Sequence, residues 1–477
     1  MVIGEGMKNT RPILGLLVLL AALPAFARTP AYEQPAGIAS LKDPLIVAGY
    51  RALFTCSAHF FAGRPLEDIR KVELEEMSGL GYPDPVIDEK RRLVTAGDVS
   101  GKFVRVAAFR DGMGCTILPP HWTATDVPRL PNVQYAPPPE VSGIPFPRGD
   151  KVDLGSDGLE AGHRVLGPIL ERALGGKSYS DKEGTVTTGV VVVKGGRIVA
   201  EKYRPGFGIH SGYRTWSTSK SMTAVLLAIA SRQGLLDLDG PADIPEWSAP
   251  GDPRQAITYK HLLWMSSGLF SGGDNSYAVY FGGQDVVSAA TTTPLEVAPG
   301  TRWKYANNDT LLLMRALRHV IADDLRFLRY PYDELLHPLG MYHTRMEVDH
   351  QGTFVSSSQT YTTTRDLARF GLFLSNDGVL NDRRLLPEGW IEFLATPAPA
   401  RPPAAGQMGY GAQFWLLDQM AGVPPGTYTT AGRKGQYVTV VPGHDLVIVR
   451  TGVDPEGIRF RQDQFVADVV RALRSNP

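Results

Sequence analysis

The sequence has no excess of charge of either sign, since 49 Lys and Arg residues balance 49 Asp and Glu residues in a chain of 477. Nucleic acids and anionic membranes are normally bound through a basic excess, so neither is expected as a partner. Hydrophobic residues make up 43% of the chain and charged residues 21%, which excludes wholesale disorder. A chain of this length can bury a full core without metals or many disulfides.

Several familiar functional motifs are missing. The chain has no Gly-x-Ser-x-Gly turn, which disfavours an α/β-hydrolase. It also has no His-Glu-x-x-His, P-loop or dinucleotide fingerprint, and its ten histidines show no metal-ligand spacing. Two cysteines without a nearby histidine pair cannot complete a tetrahedral metal site. We therefore expect no metal and no organic cofactor.

Residues 1–27 have the pattern of a cleaved signal peptide. Lys8 and Arg11 form a positive segment, residues 13–23 are uncharged and apolar, and a small-x-small pattern ends at Ala27. The apolar stretch is far shorter than the ~20 residues that a membrane-spanning helix needs. A buried N-terminal helix and a membrane anchor are the alternatives. Cleavage after Ala27 predicts a periplasmic or secreted protein that is not inserted in a membrane.

The sequence contains two cysteines, Cys56 and Cys115, and both follow the predicted signal peptide. An even pair in an oxidising compartment predicts one disulfide bond. The alternative is a pair of buried free thiols.

Composition divides the rest of the chain into three parts. Residues 28–130 form a predicted N-terminal appended region, with strands at 52–56 and 103–109 and a charged helix at 68–77. Residues 131–150 are rich in proline and predict an extended linker. Residues 151–477 form the predicted main domain. The sequence assigns no role to the appended region.

Strand patterns occur at both ends of the main domain. Val190–Val193 and residues 198–200 predict a hairpin near its start, and residues 436–441 and 446–451 predict another near its end. Residues 222–230 are apolar on every face and predict a buried helix that ends at Gly234. This arrangement predicts an α+β domain in which both termini build one sheet around a helical insertion.

One short motif stands out chemically. Ser217 and Lys220 form the only Ser-x-x-Lys in the chain, and they open the predicted buried helix. A spacing of three places both side chains on one helix face. A serine hydroxyl becomes a good nucleophile when a base takes its proton, and a lysine in a desolvated site can be that base. The alternative is a serine that caps the helix beside an ordinary helical lysine.

Two further segments carry candidate site residues. Tyr305 and Asn307 form a Tyr-x-Asn, in which the phenol can move a proton and the amide can position a partner. Arg433, Lys434 and Gly435 precede the strand that begins at Gln436, where cations and backbone N–H groups can line a cleft. Taken alone, the Tyr-x-Asn segment is more typical of a strand end beside a turn, and residues 433–435 are more typical of a solvated turn.

Together and in this order, the three motifs resemble those of the serine β-lactamase and penicillin-binding-protein superfamily. The resemblance is closer to the class C-like branch of esterases, D-aminopeptidases and aminohexanoate-oligomer hydrolases, and it spans roughly residues 180–475. Further stretches that agree with this branch are residues 235–239, 257–269, 337–341 and 435–442. The resemblance implies an antiparallel sheet flanked by helices, an all-helical second lobe and a cleft between them.

The resemblance also implies roles for the candidate residues. Ser217 would be the acylated nucleophile, Lys220 and Tyr305 the acid-base pair, and Asn307 a positioning residue. The backbone N–H groups of Ser217 and Gln436 would form the oxyanion hole.

The third motif departs from the family pattern. Arg433, Lys434 and Gly435 stand where β-lactamases usually have Lys-Thr-Gly. The two cations remain candidates for binding substrate, while the departure disfavours β-lactams. The sequence therefore predicts an exported serine hydrolase of a small amide or ester. The alternatives are a β-lactamase, a penicillin-recognising peptidase or sensor with slow turnover, and a structural or interaction protein that kept the fold and lost activity.

Overall fold

The computed structural model describes residue 1 and residues 43–152, 159–270 and 276–475. The predicted signal peptide and the start of the appended region lie outside these ranges. No helix within them is both long enough and apolar enough to cross a bilayer.

Twelve α-helices and sixteen strands occur in the described residues. The helices are α1 (Pro44–Cys56), α2 (Leu66–Val72), α3 (Leu159–Leu174), α4 (Thr218–Arg232), α5 (Tyr259–Leu263), α6 (Ser276–Tyr280), α7 (Val286–Thr291), α8 (Asn307–Ile321), α9 (Asp324–Pro331), α10 (Thr364–Ser375), α11 (Trp390–Ala395) and α12 (Gln462–Ser475). The strands are β1 (Val86–Asp88), β2 (Leu93–Gly97), β3 (Val104–Arg110), β4 (Gly114–Ile117), β5 (Thr187–Lys194), β6 (Arg197–Tyr203), β7 (Tyr213–Arg214), β8 (Arg345–Met346), β9 (Thr360–Thr362), β10 (Val379–Leu380), β11 (Arg383–Arg384), β12 (Gly409–Tyr410), β13 (Trp415–Leu416), β14 (Tyr428–Gly432), β15 (Gln436–Val441) and β16 (Leu446–Gly452).

The main sheet has seven antiparallel strands in the order β12-β13-β14-β15-β16-β5-β6. Strands from both ends of the domain therefore meet at the β16–β5 pair, which confirms the predicted α+β sheet. Along β5, Val190 and Val192 pack with α3 and α12, whereas Val191 and Val193 face the larger core. Burial on both faces explains why this strand is an unbroken run of valines. Helices α5, α7, α8 and α9 pack together as the helical lobe.

Helix α4 supports the site from within the core. All residues from Thr218 to Ala230 are buried, and Gly234 beyond its end has a φ of +75°. Both the predicted buried helix and its glycine stop are confirmed.

The sequence prediction for the appended region was wrong in one element. Residues 52–56 were expected as a strand but form the last part of α1, which begins with Pro44 after the Asp43 cap. Asp43 accepts a hydrogen bond from the Leu45 N–H at 2.8 Å. The helix is buried from Ile46 to Cys56, so its apolar run has no periodicity to separate helix from strand. The strand expected at 103–109 is confirmed as β3 in a four-stranded meander. The helix expected at 68–77 ends at Val72 as α2, and a 3-10 turn follows at Glu75–Leu80.

The appended region packs directly against the main domain. Tyr50 and Phe54 stack with ring centroids 4.2 Å apart, and Phe54 lies 5.4 Å from the Trp216 ring. Glu347 accepts hydrogen bonds from the Ser57 hydroxyl at 2.6 Å and from the Cys115 N–H at 3.0 Å. One hydrophobic core runs through both parts.

Cys56 and Cys115 are joined in a disulfide, with their Cα atoms 6.1 Å apart, so the predicted pairing is confirmed. The bond ties the end of α1 to β4 across 59 positions of sequence. Loop entropy alone gives it about 4 kcal/mol of stabilisation. We expect reduction to lower the melting temperature while activity at 25 °C persists, because neither cysteine lies in the candidate motifs. Thermal unfolding with and without reductant, with thiol alkylation read by intact mass, measures this. Two alkylated cysteines in unreduced protein would contradict the bond.

Candidate active site

Ser217 stands at the point where the chain enters α4. It is the N-cap of the helix, yet its side chain makes no capping hydrogen bond. The preceding Trp216 has a φ of +51°, a strained backbone conformation for a bulky residue. The Ser217 hydroxyl is therefore not used to close the helix, and it lies at the positive end of the helix dipole.

Lys220 lies one helical turn further on and is buried, with 1% of its surface exposed. Its Nζ is 3.2 Å from Ser217 Oγ, 2.7 Å from Asn307 Oδ1 and 2.5 Å from the Ser357 carbonyl oxygen. All three acceptors are formally uncharged. A neutral amine in this position can donate to the two carbonyl oxygens and accept the Ser217 proton with its lone pair. The geometry thus fits a general base directed at Ser217.

Tyr305 lies on the other side of the pair. Lys220 Nζ is 5.3 Å from the centre of its ring, and the ring stacks on Trp415 at 5.6 Å. Burial raises the pKa of the Tyr305 phenol, and a hydrogen bond with Ser217 opposes that increase. The phenol is therefore protonated near neutral pH and can donate to an oxygen or nitrogen beside Ser217.

Asn307 is brought to the site by the start of α8. It is the first residue of that helix, directly after Ala306, the N-cap in extended conformation. The turn from extended chain to helix places Tyr305 against Trp415 and directs the Asn307 amide oxygen to Lys220. The structure therefore brings together four of the predicted residues: Ser217, Lys220, Tyr305 and Asn307.

The third motif forms the tight turn between β14 and β15. The loop has three residues between the paired Gly432 and Gln436, and two of them, Lys434 and Gly435, have φ values of +61° and +85°. A Cβ at Gly435 would lie 1.6 Å from Arg450 Nη1, so only glycine fits there. The Gln436 carbonyl accepts a hydrogen bond from the Thr218 hydroxyl at 3.2 Å, which places the start of β15 beside Ser217.

Arg433 and Lys434, the predicted substrate-binding candidates, have a carboxylate partner that the sequence did not suggest. Lys434 Nζ lies 2.8 Å from Glu76 Oε1, and an Arg433 guanidinium nitrogen donates to Glu76 Oε2 at 3.2 Å. Arg433 also pairs with the exposed Glu456. Glu76 comes from the appended region, and no local pattern around it signals this contact.

A cavity of about 820 Å³ adjoins the site. Its walls include Tyr305, Trp415, Arg401 and the turn from Gly432 to Gly435. Ser217 and Lys220 are not among its lining residues, so Tyr305 links the cavity to the pair. Arg401 stacks over the Trp303 ring at 3.7 Å, and sequence reasoning missed both Arg401 and Trp415. The cavity therefore has an aromatic and partly cationic wall beside Tyr305.

Among the described residues, one cluster brings three metal-ligand atoms within 4.8 Å of one another: Asp150, His210 and His343. The Asp150 carboxylate is bound by Arg369 at 2.8 Å and lies 3.9 Å from Arg365. These guanidinium groups offset the negative charge that a divalent cation would need, so we assign no metal to the cluster.

Comparison with known proteins gives consistent matches. The Beta-lactamase family model matches residues 163–470. The 6-aminohexanoate-dimer hydrolase of Paenarthrobacter ureafaciens is 24% identical over 318 residues, covering 61% of this chain and 80% of that protein.

Two solved structures share the fold. The hydrolase EstCE1, described as having promiscuous acyltransferase activity, superposes with a TM-score of 0.51 at 15% identity, covering 66% of this chain and 98% of its own. A class C beta-lactamase superposes with a TM-score of 0.51 at 16% identity, covering 69% and 99% of the two chains. At these identities the superpositions establish the fold alone.

Proposed function

Because the chain belongs to the beta-lactamase family, we propose that it is a serine hydrolase that cleaves a small amide or ester through an acyl-enzyme on Ser217. One observation carries the proposal: the Ser217 hydroxyl is not spent on capping α4 and instead lies 3.2 Å from the buried Lys220 amine. A capping serine beside an ordinary lysine would show the opposite arrangement.

Acylation begins with proton transfer from the Ser217 hydroxyl to the neutral Lys220 amine. Ser217 Oγ then attacks the substrate carbonyl carbon, and the carbonyl π electrons move onto its oxygen. The N-terminus of α4 stabilises that developing oxyanion through its dipole and backbone N–H groups. We propose the N–H groups of Ser217 and Gln436 as the donors, supported by the Gln436 carbonyl contact with Thr218.

The leaving group departs when the tetrahedral intermediate collapses. Tyr305, which is protonated and hydrogen-bonded to Ser217, donates a proton to the departing oxygen or nitrogen. Lys220 returns its extra proton to the phenolate, so both groups end as they began. In deacylation the same pair removes a proton from water, and the resulting hydroxide attacks the acyl carbon. When the tetrahedral intermediate collapses, the bond from the acyl carbon to Ser217 Oγ breaks and the pair returns the proton to Ser217. Each step uses side chains of this chain alone.

The proposed substrate class is a linear amide or an ester. A relative whose name describes a 6-aminohexanoate-dimer hydrolase supports the amide, and the resemblance of the three motifs to those of class C-like esterases supports the ester. Arg433, Lys434 and Gly435 in place of Lys-Thr-Gly weigh against β-lactams. We also propose export, which the pattern of residues 1–27 and the Cys56–Cys115 disulfide support.

We expect 4-nitrophenyl butyrate to be hydrolysed with a kcat/KM at least tenfold above that for nitrocefin under the same conditions. An activated ester needs little protonation of its leaving group, so it tests Ser217 and Lys220 with the least demand on Tyr305. A burst followed by steady turnover identifies a hydrolase, whereas a burst of one equivalent that then stops identifies a penicillin-recognising sensor. A tenfold preference for nitrocefin, about 1.4 kcal/mol of transition-state stabilisation, would make the protein a β-lactamase instead.

A further inference from the structure

Glu76 joins the appended region to the turn of the third motif. It lies in the 3-10 turn Glu75–Leu80, and its side chain is 10% exposed. Its two carboxylate oxygens face two different cations, Lys434 at 2.8 Å and Arg433 at 3.2 Å. The Lys434 side chain is itself only 8% exposed. This contact is therefore largely shielded from solvent, unlike the Arg433 pair with the 70% exposed Glu456.

The position of Glu76 is fixed by packing rather than by the cations alone. Tyr50 of α1 is fully buried and donates its hydroxyl hydrogen bond to the Glu73 carbonyl at 3.1 Å. Met77, next to Glu76, is 5% exposed and belongs to the core. The same region touches the entry to α4, because Phe54 packs on Trp216, the residue before Ser217. The carboxylate is thus anchored from the appended region beside the site.

The charges on the turn contribute to what the cavity can bind at this end. Two cations on a turn that lines the cavity would attract a substrate carboxylate. Glu76 already supplies that carboxylate from within the protein. A substrate anion that took its place would leave Glu76 poorly solvated, beside a second negative charge and without its partners, which is unfavourable. A neutral group meets no such penalty.

We propose that the appended region sets the substrate specificity of the cleft, with Glu76 occupying the anion-binding position of Arg433 and Lys434. The enzyme then prefers substrates that carry no carboxylate at that end. This is a specificity role for Glu76 and not a chemical step. The kinetic test of this specificity role rests on the proposed function, because it requires hydrolysis. A binding test of the same role does not require turnover.

Matched esters measure this role. 4-Nitrophenyl hexanoate and mono-4-nitrophenyl adipate differ by a carboxylate in place of the terminal methyl group, and 3-carboxy-4-nitrophenyl hexanoate places the carboxylate on the leaving group instead. We expect Glu76→Gln to raise kcat/KM for one of the two anionic esters, relative to the neutral ester, at least tenfold. The gain should shrink in high salt, because salt screens the attraction that draws the anionic ester from solvent to the two cations. The ester that responds shows which side of the scissile bond faces the turn.

Controls separate this role from a structural one. Glu75→Gln removes an exposed charge from the neighbouring position and should leave the ratio unchanged. The double variant Glu76→Gln/Lys434→Gln should lose most of the gain expected for Glu76→Gln, because the Lys434 cation that the first substitution frees is no longer present. Lys434→Gln alone should lower the ratio of anionic-ester to neutral-ester kcat/KM below that of the native protein, because Glu76 then loses a partner and repels the anion. This last variant keeps the inference testable if Glu76→Gln does not fold.

Calorimetric binding of the two anionic esters to Ser217→Ala protein, with and without Glu76→Gln, needs no turnover. We expect one of them to bind at least tenfold more tightly when Glu76 is replaced. Tighter binding without any ester hydrolysis by the native protein would support the role of Glu76 and defeat the proposed function. Hydrolysis with unchanged ratios and unchanged binding would overturn the role of Glu76 and leave the proposed function standing.

Discussion

Replacing Ser217 by alanine is expected to lower kcat by about 10⁴-fold or more while the protein still folds. The loss is large because Ser217 supplies the atom that forms the acyl bond. The fold should persist because the Ser217 hydroxyl makes no capping bond to α4, so its removal costs less than the ~1 kcal/mol of a typical N-cap. Hydrolysis of 4-nitrophenyl butyrate and the melting temperature measure the two expectations.

Ser219→Ala is the matched control for this variant. It also removes a hydroxyl from the first turn of α4, but the Ser219 hydroxyl bonds to Thr360 at 2.6 Å and not to Lys220. Activity should therefore survive in Ser219→Ala. A serine-directed phosphonate should add its mass to Ser217 in the native protein and to no other residue. Labelling that persists in Ser217→Ala protein would place the nucleophile elsewhere.

The parts of the site that the sequence predicted are those fixed by local geometry. Ser217 and Lys220 are three residues apart on one helix, so their contact follows from helical spacing once α4 is recognised. The strand that begins at Gln436 was also predicted, because residues 436–441 are a run of strand-forming residues that follows a glycine. Asn307 meets Lys220 only through the fold, and the sequence indicated no more than that its amide could position a partner.

Long-range packing accounts for what the sequence did not predict. Residues 52–56, the last part of helix α1, were taken for a strand because a helix buried on all sides shows no amphipathic period. Glu76 could not be assigned, because it meets Lys434 only when the appended region docks beside the third motif. Arg401 enters the cavity wall by stacking on Trp303, a contact that no short pattern encodes. In all three cases the feature depends on tertiary packing, which short sequence patterns do not show.

Lys220→Arg tests the other half of the pair, and we expect it to lower kcat/KM by about 10³-fold. A guanidinium stays charged throughout the usable pH range, so it can donate to Ser217 Oγ but cannot accept its proton. Native activity should fall as the pH is lowered, because protonation of Lys220 removes the lone pair that the mechanism needs. That dependence should vanish from the residual activity of Lys220→Arg.

Two comparisons show whether charge or shape causes the loss. Lys260→Arg alters a lysine that pairs with Asp239 on the outside of α5, and it should leave kcat/KM unchanged. In Lys220→Ala, added methylamine should restore part of the activity, because the small amine can occupy the emptied space and take the Ser217 proton. A purely structural lysine would give no such rescue, since methylamine cannot rebuild a side chain tethered to α4.

If Lys220→Arg keeps more than a tenth of native activity with an unchanged pH profile, Lys220 is not the base. Its contacts with Asn307 and Ser357 would then serve only to hold α4 to α8 and to the turn before β9.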